Sequence, residues 1–117
     1  MNGEPPYTVI FFQTSFGREP VRDWLKTLEK EDRKIIGEDM KLVQFRWPLG
    51  MPLVRKLERD LWEVRTNLTG NRIARILFTV RDSKIVLLHS FVKKSQKIPM
   101  RDLDIGRTRR DLWHSEE

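Results

Sequence analysis

Three strand-like runs follow one another with almost nothing between them, and this constrains the chain more than any other feature. Residues 61–67 (LWEVRTN), 73–80 (IARILFTV) and 85–92 (IVLLHSFV) are rich in β-branched, aromatic and aliphatic side chains. Only Leu68-Thr69-Gly70-Asn71, a hairpin loop, and Arg81-Asp82-Ser83-Lys84, a tight turn, separate them. Such links join antiparallel neighbours and are too short for the crossover a parallel pair needs. The third run is almost continuously apolar, as a central strand should be. Residues 53–57 (LVRKL) read as a candidate short edge strand.

Upstream, residues 7–12 (YTVIFF) read as another strand. Gly17 and Pro20 end it and open a helix, with Val21, Trp24, Leu25 and Leu28 at helical spacing. A second helix starts at Glu31-Asp32, with Asp32 a candidate cap. Its apolar face is Ile35, Ile36, Met40, Val43 and Leu42. Residues 47–52 (WPLGMP) form a loop by their Pro and Gly content. Pro99 opens a final helix to about Trp113, which Gly106 should weaken. The expected order is β-α-α-β-β-β-α. This is an α+β fold with the helices on one face of an antiparallel sheet. At 117 residues, one domain spanning 1–117 is expected.

Several function classes drop out on composition. The chain has no cysteine, which removes disulfides, thiolate nucleophiles and Cys-based zinc sites. His89 and His114 are the only histidines, too few for a His-based metal cluster. No apolar run approaches the roughly 18 residues of a membrane span. Residues 1–7 lack the basic and apolar regions of a secretory signal. A soluble, cytoplasmic protein with no cofactor and no metal is expected. Charge is the positive clue. Residues 1–45 sum to −1, residues 46–97 to +8 and residues 98–117 to −1, giving +6 overall. A positive middle favours a polyanion partner, nucleic acid first among them.

Alternation then sorts the strand residues. Trp62, Val64, Ala74, Ile76, Phe78 and Val80 should face the helices, and Trp24 should join that core. Glu63, Arg65 and Arg75 should lie on the opposite face. Pairing that is symmetrical about the hairpin loop sets Arg65 across from Arg75, and opposed like charges destabilise a sheet. Either a salt bridge from Glu63 or a bound phosphate must compensate. Arg55-Lys56 and Lys93-Lys94 are expected to border this face, with Arg72 near the loop. Phe91 is either core or a platform for a base. His89 reads as a buried, hydrogen-bonded histidine, and His114 as part of a loose terminus.

Four blocks, LVRKL, LWEVR, NRIARILF and LLHSFVKKSQKIP, resemble the RelE/ParE toxin superfamily, nearest to its HigB-type, phage-derived subgroup. The likeness covers nearly the whole chain. It implies the toxin of a type II toxin–antitoxin pair, an endoribonuclease (mRNA interferase) that cuts mRNA in the ribosomal A site and inhibits translation. The chemistry implied is metal-free attack of a 2′-hydroxyl on the adjacent phosphate. Such chemistry needs a proton acceptor, a proton donor and cations on the phosphate. By this resemblance Arg65, Arg75 and Lys94 are the catalytic candidates. Arg55, Lys56, Arg72, Phe91, Lys93 and Lys97 are the substrate-binding candidates. The implied partner is a helix-turn-helix, HigA-like antitoxin, through which operator DNA would be contacted indirectly. Two departures stand out. Leu61 and Glu63 occupy positions where RelE has strand lysines, and no tyrosine follows Tyr7. The acid–base role is therefore vacant, with His89, Phe91 and Lys94 as partial substitutes. A ParE-like gyrase inhibitor and an inactive phage-derived binding protein are the alternatives.

Overall fold

The computed structural model describes residues 5–93 and 97–116. The elements follow as β1 (Thr8–Phe11), α1 (Pro20–Lys26), α2 (Lys30–Arg46), β2 (Val54–Glu58), β3 (Leu61–Asn67), β4 (Ile73–Arg81), β5 (Lys84–Lys93) and α3 (Met100–Ser115). This is the α+β architecture expected. Four strands follow the two helices rather than three, because the candidate edge segment at 53–57 does pair with its neighbour.

The five strands lie in the order β1-β5-β4-β3-β2. The meander β2 to β5 is antiparallel throughout. At its tightest turn, Asp82 (φ 53°) and Ser83 (φ 64°) both take left-handed backbone, the geometry of a two-residue hairpin that matches strand twist. β1, however, runs parallel to β5, from Thr8 opposite Lys84 to Phe11 opposite Leu87. The sheet is therefore mixed, not wholly antiparallel. β5 has neighbours on both sides, as its apolar run suggested.

One face of the sheet takes α1 and α2. Val21, Ile36 and Val43 pack there against Val64, Ile76 and Phe78. Trp24 and Trp62 belong to this core. Trp47 meets Trp62 and Phe78 edge-on, with ring centroids 5.0 and 5.3 Å away, and so pins the loop after α2. Asp32 does not cap α2. Glu29 stands at the cap position, and Asp32 is buried in the first turn.

The second face is not left bare. Leu61, Leu77, Val86 and Leu88 form a smaller core there, and Leu103 and Trp113 of α3 close it. Gly106 makes this packing possible. A Cβ at that position would lie 2.7 Å from Leu77 Cδ1. The residue that lowers helix propensity therefore sets how closely α3 approaches the sheet. Polar ties hold the helix as well. Glu58 accepts from Arg107 at 2.9 Å and from Arg110 at 2.7 Å, and Arg109 donates to the Leu88 carbonyl at 2.8 Å. His114 is anchored rather than loose, its Nε2 lying 2.8 Å from Thr79 Oγ1.

Candidate functional site

α3 covers only part of the second face. From the edge of the helix outward, three rows of side chains cross the sheet. Arg55, Glu63, Leu77 and His89 form the first. Arg65, Arg75 and Phe91 form the second. Asn67, Ile73 and Lys93 form the third. The expected opposition of Arg65 and Arg75 is thus present in the register.

Glu63 resolves that opposition. Its side chain is fully buried, and three arginines converge on it. Arg75 Nη1 lies 2.9 Å from Oε2, and Arg55 Nε lies 3.2 Å from Oε1. Arg65 Nε stands 3.9 Å from Oε1. These four side chains carry a formal charge of +2. Burying an ion pair is costly unless geometry and hydrogen bonds compensate, and a buried charge left without its partner costs more. Exposure divides the arginines by role. Arg75 is fully buried and presents no surface to a ligand, while the side chains of Arg65 and Arg55 are 13% and 34% exposed. Arg75 and Glu63 are therefore a buried platform, and Arg65 and Arg55 are the members of the cluster that reach solvent. This revises the direct role expected of Arg75.

The other expected residues divide clearly. Phe91 sits half-buried beside Arg75, and Lys93 is exposed at the end of β5 on the same face. Lys97 is exposed just before α3. Lys94 lies outside the described residues. Lys56 points to the other face, its ammonium 5.8 Å from the centroid of the Trp62 ring. Adjacent residues of a regularly paired strand face opposite sides, so Arg55 and Lys56 are not a pair on one surface. Arg72 is engaged elsewhere. Its guanidinium donates to both oxygens of Asp32, at 3.0 and 3.1 Å, and to the Thr69 carbonyl at 2.9 Å. It ties the β3–β4 loop to α2. That bond holds the Asp32 carboxyl below its ordinary range and raises Arg72.

Sequence reasoning placed His89 in a buried setting but missed its partner. His89 Nε2 lies 2.7 Å from Oδ1 of Asp102 on α3, and its ring centroid is 5.8 Å from that of Phe91. Burial is the main influence on the imidazole and pushes it below its ordinary value. The Asp102 hydrogen bond and charge oppose this, and Arg109 and Arg101 add to it. No spacing rule connects a mid-strand histidine to the first turn of a later helix. The burial of Glu63 did leave a trace, because Leu61 and Leu77 share its face and a bare face would not carry them. Among the described residues, no three His, Cys, Asp or Glu side chains gather where they could hold a metal ion. No helix there is long and apolar enough to cross a membrane.

The profile of one protein family, described as phage derived protein Gp49-like (DUF891), matches residues 23–111. The chain belongs to that family. The match runs from within α1 to within α3 and takes in all three rows. The Gp49-like family is in general a member of the RelE/HigB-like toxin superfamily and is associated with toxin–antitoxin toxins. It therefore implies an antitoxin partner. No match is found among curated proteins.

Proposed function

We propose that this Gp49-like protein is a HigB-type toxin that cleaves mRNA on the ribosome without a metal ion and is neutralised by a helix-turn-helix antitoxin. The observation that carries this reading is the cationic face built on Glu63. Phosphodiester cleavage by a neighbouring 2′-hydroxyl builds negative charge on the phosphate oxygens, and fixed guanidiniums stabilise such charge best when they need no reorganisation. Arg65 and Arg55 are drawn together for this by a fully buried carboxylate. Arg75, buried beneath them, positions rather than touches. Phe91 offers a ring on which a base can stack. Lys93, Lys94 and Lys97 follow as cations for the flanking phosphates. The cytoplasm, where ribosomes and mRNA meet, is the compartment this reading requires.

The test is a defined mRNA incubated with purified protein, with and without programmed ribosomes and with EDTA in a parallel reaction, mapped by primer extension. Cuts only on ribosomes, unchanged by EDTA, are expected. Arg65→Ala should slow cutting by about 100-fold while the protein stays folded. Absence of cleavage by folded protein overturns the reading. One observation favours a competitor. Glu63 stands where RelE has a strand lysine, and no tyrosine follows Tyr7, so the catalytic set of RelE is incomplete. A gyrase-directed poison needs no such set. A DNA-damage response without mRNA cleavage would select it.

A further inference from the structure

We infer that His89, oriented by Asp102, is the base that takes the proton from the attacking 2′-hydroxyl. The inference rests on the ribonuclease reading above and fills the role that the missing tyrosine leaves vacant.

His89 lies in the first row across the sheet, in register with Leu77 and on the same face as Glu63 and Arg55. Phe91, two residues on and roughly 7 Å along the strand, belongs to the next row, in register with Arg75 and Arg65. The irregularity in β4–β5 pairing between Leu77 and Phe78 fixes this position. It lets Leu88 fill the core under α3 while His89, next in sequence, reaches the edge of that helix. Bulges re-aim side chains in this way. The side chains of His89 and Asp102 are 16% and 17% exposed, so the pair sits at the boundary of the α3-covered core with a path to solvent.

The chemistry follows from the partner. A carboxylate only accepts hydrogen bonds, so the 2.7 Å contact makes Nε2 the protonated nitrogen of the neutral ring. Nδ1 then holds the lone pair, and among the described residues no hydrogen bond engages it. A carboxylate that fixes the tautomer and orientation of an imidazole, leaving its other nitrogen for a proton, is the arrangement of general-base histidines in hydrolases. The groups facing the ring are Asp102, Arg101 and Arg109 from α3 and the Phe91 ring from its own strand. Two of these are cations. With burial, they keep the ring neutral and ready to accept at neutral pH.

The step balances. The 2′-hydroxyl proton passes to Nδ1, and the 2′-oxygen bonds to phosphorus. The P–O5′ bond breaks, and the 5′-oxygen leaves with a proton from solvent. The products are a 2′,3′-cyclic phosphate and a 5′-hydroxyl, and the imidazolium returns its proton to water. His89 is the catalytic residue, and Asp102 is a positioning residue.

Single-turnover cleavage of ribosome-bound mRNA, followed from pH 5 to 8, tests this. The wild-type rate should rise with pH through one ionisation below about 6.5 and then level off. His89→Asn should lose that inflection and about 100-fold or more of the plateau rate. Asp102→Asn should move the inflection and lower the rate by a smaller factor, because the ring loses its fixed tautomer. His114→Asn should keep the wild-type profile. A wild-type rate that is flat over this range overturns the inference, even where His89→Asn fails to fold. So does a folded His89→Asn protein that cleaves at the wild-type rate. Wild-type protein that does not cleave at all overturns the ribonuclease reading and this inference with it.

Discussion

Glu63 shows how much one side chain decides at the residue scale. Its carboxylate lets Arg65 and Arg75 face each other across two strands, and it fixes the orientation of Arg55 at the sheet edge. Without the negative charge, a fully buried guanidinium loses the carboxylate 2.9 Å from it. Glu63→Gln, which keeps the shape and removes the charge, should destabilise the fold by about 3–5 kcal/mol. Urea denaturation midpoints for the two proteins measure this directly. Arg65→Ala should cost far less stability, since that side chain touches solvent and stands 3.9 Å from the carboxylate. The contrast between these two substitutions separates the platform from the surface it supports.

At the scale of elements, the contact of α3 with the sheet is the sensitive point. Gly106 packs its backbone on Leu77, which is itself fully buried. Gly106→Ala would raise intrinsic helix propensity, yet the added methyl must displace a core side chain. A net loss of about 1–3 kcal/mol is expected, opposite in sign to the propensity effect. Combining it with Leu77→Ala should recover part of that loss, because the second change opens the space the first one fills. A double-mutant cycle on thermal unfolding would read the coupling. α3 also carries Asp102, so a shift of this helix would disturb the histidine pair as well as the core.

At the scale of the whole molecule, pH reports on how the layers are tied together. Hydrogen bonds from Arg107 and Arg110 hold the Glu58 carboxyl below its ordinary value, and Arg72 does the same for Asp32. The first tie joins α3 to the sheet, and the second joins α2 to the β3–β4 loop. Their stabilisation is present above the unfolded carboxyl values near 4 and is lost as pH falls through the lower folded values. His89 acts earlier. Its folded value is depressed, so the unfolded chain binds its proton first and stability begins to fall as pH drops below about 6.5. Melting temperatures measured from pH 8 to 3 should therefore decline in two stages. His89→Asn should remove the first, and Arg72→Ala should shrink the second.

Much of this was legible in the chain itself. Alternation in the three adjoining runs is a local property, and the turns between them are too short to allow any other pairing. The meander, its register and the opposition of Arg65 to Arg75 therefore follow from residues that are close in sequence. Family membership was legible for the same reason, since the matching blocks lie on that meander. The tertiary structure alone decided what depends on distant segments meeting. β1 pairs with β5 in parallel only after the whole of the intervening chain has folded back. Asp32 turned from a helix cap into the anchor of Arg72, forty residues away. α3 came to lie on the second face because Leu61 and Leu77 needed cover and Gly106 let it approach. That docking divided the face into a core and a cationic strip and brought Asp102 to His89. Periodicity says which side of a strand a residue occupies. What covers that side depends on long-range packing, whose free energy no local window of the sequence contains.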